Sequence, residues 1–335
     1  MAPLRLTGTL RSVAMRSVRL PRVLASVTVG LLGASCASAP AGERVAKRVD
    51  TSSPTHQPAV GPGPSTRTTV GHRAVEPVTL AFGGDVHFEG VLRSKLDADP
   101  GHVLDAIAPT LSAADIAMVN LETAITERGS PEAKNYTFRA PPSALVALRG
   151  AGIDVATMAN NHGVDFGSVG LADSLTAIHA SGFPVVGIGA NAAEAYAPYR
   201  RTVHGDRVAI IGATQVIDEA LIPEWTATAT NGGVASAKNV DRLVAAVRSA
   251  RRTSDTVVVY VHWGIESHTC PSSNQEALAH ALVAAGADVV VGSHTHRLLS
   301  GGRLGRAFQS AAAAAASLPV RRCGVPPSIT ADAHA

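Results

Sequence analysis

Hydrophobic and polar positions along this chain follow a regular alternation from Val78 to Leu299. The apolar runs at Val78–Phe82, Ile116–Val119, Val155–Met158, Val185–Gly189, Val208–Gly212, Thr256–Val261 and Asp288–Val291 are four to six residues long. Short runs of this kind, several of them rich in β-branched residues, predict buried strands. Between them, Ser143–Arg149, Leu171–Ala180, Val240–Arg251 and Gln275–Ala285 carry apolar residues at helical spacing. Val240–Arg251 also ends in basic residues, which suit the negative end of a helix dipole. Strands alternating with helices predict an α/β fold whose strands are covered on both faces.

The flanks break the pattern. Arg5, Arg11, Arg16, Arg19 and Arg22 precede an uncharged run, Val23 to Gly33, and then small residues from Ala34 to Ala41. Residues 1–41 are therefore expected to be an export signal, with Ala39-Pro40-Ala41 as a small-x-small cleavage site. Cys36 offers a second outcome, a lipoprotein, although Gly33 stands where a lipobox prefers Leu. The run is shorter than the roughly 20 residues that span a bilayer. Membrane contact is thus expected only through the signal or a lipid anchor. Residues 42–76, rich in Pro, Ser, Thr and Gly, read as a linker. After Leu299 come Gly301-Gly302, six alanines from Ala311 and Arg321-Arg-Cys-Gly-Val-Pro-Pro. Residues 301–335 read as an irregular tail, either a natural disordered one or the product of a frameshift that replaced the final strands, the latter favoured, so the domain is expected to occupy 77–300 and to be truncated at its C-terminal side.

Composition narrows the function classes. The chain has 335 residues, 46% hydrophobic and 16% charged, with a net charge of +3 and 4% aromatics. There is no basic stripe interleaved with aromatics, so no nucleic-acid partner is expected. Cys36, Cys270 and Cys323 form neither a metal spacing nor a disulfide framework, though Cys270 and Cys323 could pair outside the cell.

Chemistry collects where the apolar runs end. Five clusters stand there: Gly84-Asp85-Val86-His87, Asn120-Leu121-Glu122, Asn160-Asn161-His162, His262-Trp263-Gly264 and Gly292-Ser293-His294-Thr295-His296. Singly, each reads equally well as a turn or a core histidine. Together they mark one edge of an α/β sheet, where such folds place their sites. Asp85, His87, Glu122, Asn161, His262, His294 and His296 offer oxygen and imidazole donors without thiolate. That donor set suits two divalent ions, Mn, Fe or Zn. His162 is left over as a general acid. Asp165 could fix the tautomer of His162 or cap the following helix, and capping is the expectation. Trp263 is expected to pack beneath the site. Arg93, Lys95, Lys134 and Arg139 are expected to be solvated surface charges.

The spelling and order of these clusters resemble the metallophosphatase superfamily and, within it, the CapA family of poly-γ-glutamate capsule proteins. Tyr136-Thr-Phe-Arg-Ala-Pro-Pro, Asp165-Phe-Gly, Gly187-Ile-Gly-Ala-Asn with Glu194-Ala195, and the stretch Gln275 to Asp288 share in the resemblance, which covers about residues 78–298. It implies a four-layer α/β/β/α sandwich with the site at the sheet edges. It also implies that Asp85, His87 and His296 hold one metal and that Asn161, His262 and His294 hold the other. Glu122 would bridge the two, with His162 catalytic. The implied role is in capsule or poly-γ-glutamate assembly outside the cell, with an anionic polymer or a phosphoester as substrate and capsule synthesis or export proteins as partners. A plain extracytoplasmic phosphoesterase and a non-catalytic polyanion-binding scaffold are the alternatives. Two departures stand out. The family more often has Met where this chain has His87, and its Ser-Leu-Gly-Asn-Phe-like strand is absent after Leu299.

Overall fold

Strict alternation along the central strands builds the architecture. In the computed structural model, which describes residues 76–299 and 301–310, Ile116 and Met118 of the strand Ile116–Leu121 enter one core, while Ala117, Val119 and Leu121 enter another. In the strand Thr256–His262, Val258 and Tyr260 join the first of these cores, and Val257, Val259 and Val261 join a third. Side chains alternate across a strand, so each sheet is apolar on both faces and must be covered twice. The result is a sandwich of two sheets with helices outside each.

The first sheet is parallel, in the order Leu80–Val86, Ile116–Leu121, Val155–Thr157, Val185–Val186. The helices Val91–Ala98, Ser143–Gly150 and Gly167–Ser181 cover it. The second sheet runs Gly301–Leu304, Ala307–Ser310, Val289–Ser293, Thr256–His262, Asp206–Thr214, Tyr199–Val203. Its inner strands are parallel and its two outermost strands antiparallel. The helices Val240–Arg251 and Ser273–Ala285 cover its outer face. Ser273–Ala285 is fixed at both ends by its own sequence: Ser272 and Gln275 form a reciprocal capping box, and Gly286 closes the helix in the left-handed region. The α/β/β/α sandwich that the family resemblance implies is the fold observed.

Several expectations need correction. The run Val185–Gly189 forms two strands, because Gly187 (φ 84°) turns the chain and sends Ile188–Gly189 to pair with Gly233–Val234. The edge strand Tyr199–Val203 is mostly exposed and shows no apolar run from which a strand would be predicted. It is joined to Asp206–Thr214 by His204 and Gly205, both at positive φ, as a tight hairpin requires. The stretch after Leu299 is not irregular throughout. Gly301–Leu304 and Ala307–Ser310 form a hairpin, and the second strand pairs in parallel with Val289–Ser293. Its glycines and polar residues give no alternation to read, and pairing with an existing sheet supplies what propensity lacks. Residues 311–335, the signal expected in 1–41 and most of the expected linker lie outside the described residues. No helix among the described residues is long and apolar enough to cross a membrane.

Candidate metal centre

Both sheets deliver their chemistry at the C-terminal ends of parallel strands. Asp85 pairs with Asn120, and His262 is in register with Ser293 and Thr214. The first strand carries a register shift between Phe82 and Asp85, and such a bulge re-aims the side chain that follows it. Gly83 permits the bulge to lie close to its neighbour, since a Cβ there would meet Val119 Cγ1 at 2.9 Å. Asp85 is then held by two donors. Asn120 Nδ2 lies 2.8 Å from Oδ1, and the backbone N–H of His294 lies 3.1 Å from Oδ2.

Five of the eight expected residues, Asp85, Glu122, His262, His294 and His296, gather in two groups that share Glu122, and Asn161 and His162 adjoin them. Single ligand atoms of Glu122, His262 and His294 lie within 4.8 Å of one another, and so do those of Asp85, Glu122 and His296. Glu122 belongs to both groups. His262 Nε2 is 2.7 Å from Asn161 Oδ1 and 3.5 Å from Glu122 Oε1, while its Nδ1 faces Ser293 Oγ at 2.9 Å. His162 Nε2 lies 3.9 Å from Glu122 Oε1. His87 is the eighth. It falls in neither group; its ring stacks on Phe138 with centroids 4.6 Å apart, and its Nδ1 faces the N–H of Glu89 at 3.4 Å.

Electrostatics fit a cation here. Burial, with the Asp85 charge adding to it, pushes the Glu122 carboxyl up to about 9. Burial lowers His262 well below the ordinary imidazole value, and lowers His294 and His87 as well. Neutral imidazoles beside a buried carboxyl whose charged form lacks a counter-charge are what a divalent ion binds and balances, releasing the carboxyl proton. The Nδ1 of His294 is buried and has no hydrogen-bond partner among the described residues, so it stands as an open donor. His294 and His296 both lie at positive φ (92° and 53°). Non-glycine residues there cost about 1–3 kcal/mol each and collect at functional sites.

Several working residues have no role predicted by the sequence, or a different one. Asn160 is buried, and its amide donates to Asn120 Oδ1 and to the Leu121 carbonyl, each at 2.9 Å, while its Oδ1 accepts the His162 N–H at 2.9 Å. It therefore joins two of the five clusters through its own side chain. An Asn-Asn pair at a strand end looks like a turn, and only the fold separates the residue turned inward from its neighbour. Asp165 does not cap the helix: that helix starts at Gly167, with Phe166 as its N-cap and no side-chain bond. Asp165 instead lies 2.5 Å from His162 Nδ1. Lys134 is not solvated, since it donates to Asp165 Oδ1 at 2.6 Å with its side chain 8% exposed. Trp263 is buried in the core under the second sheet, as expected. Cys270 is disulfide-bonded, and the other two cysteines lie outside the described residues.

Residues 79–301 match the model of a family described as bacterial capsule synthesis protein PGA_cap. The chain belongs to this family. Among curated relatives of this capsule synthesis family member, the capsule biosynthesis protein CapA of Bacillus anthracis is 32% identical over 69% of the chain and 57% of its own length. A protein of Mycobacterium tuberculosis named "Probable polyglutamine synthesis accessory protein" is 32% identical over 55% of the chain and 50% of its own length. The PGA biosynthesis protein CapA of Bacillus subtilis is 28% identical over 66% and 58%. The chain thus spans about half the length of these relatives, or a little more. A solved structure of a hypothetical protein from Thermus thermophilus aligns with a TM-score of 0.41 at 20% identity, over 71% of this chain and 76% of that one. The family member has the metallophosphatase-type α/β/β/α fold, with its polar clusters gathered at one edge of the sandwich.

Proposed function

We propose that this protein is exported and acts in the synthesis of an anionic capsule polymer of the poly-γ-glutamate type, through a dinuclear metal-dependent hydrolase site. The observation that carries this reading is the sharing of Glu122 between two groups of donors. Asp85, Glu122 and His296 would hold one ion, with His87 completing that set from the Phe138 side. Glu122, His262, His294 and the Asn161 amide oxygen would hold the other. Mixed nitrogen and oxygen donors without thiolate suit Mn, Fe or Zn. Two such cations would polarise the scissile group and lower the pKa of a water molecule.

The remaining residues of the site orient and protonate. His162 presents Nε2 to the Glu122 side and would give a proton to the leaving group. Asp165 holds the other ring nitrogen, so the imidazole keeps one orientation. Asp85 is pinned by Asn120 and the His294 backbone before any ligand arrives. Export is supported by the arginine-rich start, the short apolar run and the small residues up to Ala41. The relatives' names, a capsule biosynthesis protein and a PGA biosynthesis protein, support a role in making such a polymer, with capsule synthesis or export proteins as the partners we propose. His87 favours a second reading, a phosphoesterase acting on phosphate mono- or diesters outside the membrane.

The test is metal content together with phosphodiesterase activity of the purified chain, beside a His294→Ala control. Two equivalents of metal, with activity lost in the control, are expected. Folded protein that takes up no metal would overturn the hydrolase reading in favour of a polyanion-binding scaffold.

A further inference from the structure

The segment from Lys134 to Phe138 reaches the site without supplying any donor to it. Three of its groups act on Asp165 and His162. Lys134 Nζ donates to Asp165 Oδ1 at 2.6 Å, and the Phe138 backbone N–H donates to Oδ2 at 2.7 Å. The Phe138 ring lies between His87 and His162, with its centroid 4.1 Å from that of His162 and an interplanar angle of 28°. Lys134 also donates to the backbone carbonyl of Asn161 and sits 4.9 Å from the centroid of the Trp225 ring. A lysine is seldom buried unless its charge is met. Here a carboxylate, a carbonyl and an aromatic face all meet it. Asp165 itself is fully buried and receives His162 Nδ1 at 2.5 Å on the oxygen that accepts from Phe138. The stretch is anchored further by the Glu132 N–H, which donates to the Asp165 carbonyl at 2.8 Å.

We propose that Lys134 and Phe138 are positioning residues, a strap that fixes the Asp165 carboxylate and holds the His162 ring with Nδ1–H on Asp165 and Nε2 toward Glu122. The proposal rests on the hydrolase reading of the site. In that reaction the imidazolium of His162 passes its Nε2 proton to the departing oxygen as the bond to that oxygen breaks. The ring is left neutral, with its remaining proton on Nδ1, where Asp165 already accepts it. The stacked Phe138 ring resists a flip that would exchange the two nitrogens. A buried carboxylate held by two further donors keeps its place, and a carboxylate oxygen is a strong acceptor for an imidazole N–H.

The experiment uses the full chain as wild type, Lys134→Met, Asp165→Asn, their combination, and Phe138→Leu. At one fixed pH, proton NMR reads the hydrogen-bonded Nδ1–H of His162, assigned by its loss in His162→Ala. Metal content is measured alongside, as are kcat and KM for diphenyl and bis(4-nitrophenyl) phosphate. Lys134→Met is expected to keep its metal and shift the His162 signal. It should lower kcat for the phenyl ester, whose leaving group needs the proton, on the order of tenfold more than for the nitrophenyl ester, with KM little changed. In the Asp165→Asn background the same substitution should have less than about a twofold effect, because the two residues act as one unit. Phe138→Leu removes the stack and keeps every charge, so it should broaden the His162 signal even if Lys134→Met fails to fold. An unchanged signal in either variant, full additivity, or metal lost with Lys134→Met would overturn the strap. If the NMR pattern appears as expected and no ester is cleaved by the wild type, the strap stands and the hydrolase reading falls.

Discussion

His262 and Asn161 face each other across the seam between the two sheets, with Nε2 and Oδ1 2.7 Å apart. For His262 to bind a cation through Nε2, its proton must sit on Nδ1. Ser293 Oγ lies 2.9 Å from that nitrogen and can accept the proton, whereas the Asn120 amide nitrogen, 3.1 Å away, cannot. In the metal-free geometry Nε2–H donates to the Asn161 amide oxygen, which can only accept, so Ser293 acts when a metal takes Nε2: it is the group that can then receive the Nδ1 proton. Ser293→Ala is expected to weaken metal affinity roughly 10–100-fold while leaving the fold intact, as removal of such a partner commonly does. Calorimetric titration with Mn2+ checks this, and unchanged affinity would remove Ser293 from the site.

Glu122 sets stability against function. Its burial beside Asp85 raises its pKa, so folding of the metal-free protein at neutral pH must protonate this carboxyl, at a cost in stability. Glu122→Gln keeps the shape and removes the charge. Metal-free protein carrying this change should melt several degrees higher, since about 1 kcal/mol moves the midpoint roughly 2–4 °C for a domain of this size. The stabilisation that Mn2+ gives the wild type should vanish in the same variant. Melts in EDTA and in Mn2+ test both halves, and a variant less stable without metal would refute the account.

His162 carries a role separable from binding. It belongs to neither donor group, and its Nδ1 is committed to Asp165. His162→Ala should therefore abolish turnover, with a loss of about 10²–10⁴ in kcat, and leave the metal content unchanged. Elemental analysis of the variant decides, because a loss of bound metal would make His162 a ligand.

How far the sequence foretold this site depended on the kind of signal. Asp85, Glu122, His262 and His294 follow apolar runs that the alternation marks clearly, and parallel strands put their C-terminal ends on one edge. What escaped were contacts fixed by chain segments with no periodicity. Lys134 lies in a loop between short strands, where a lysine reads as solvated, and its burial depends on Trp225, far along the chain. Asp165 precedes a helix and looks like a cap, but Phe166 intervenes and the carboxylate turns back to His162. The hairpin Gly301–Leu304 with Ala307–Ser310 has little strand propensity of its own and forms against an edge already made.

Tyr260 ties the two sheets together at the point where the site begins. Its side chain lies in the core between them, and its hydroxyl donates to the Gly83 carbonyl at 2.8 Å. Gly83 belongs to the bulge that aims Asp85, and the Tyr260 oxygen also interacts with Ser293, the partner of His262. One hydroxyl thus links both halves of the site. Tyr260→Phe keeps the packing and leaves the Gly83 carbonyl short of a donor, at a cost of about 1–3 kcal/mol. The melting midpoint should fall by roughly 2–10 °C. Metal affinity should fall too, because Asp85 is no longer held at the distance the second sheet requires. Loss of stability with unchanged affinity would mean that the hydroxyl braces the sheets alone. Loss of affinity together with stability, measured by melting and by Mn2+ titration on the same sample, is the expected result, because the bulge and the site are one piece of structure.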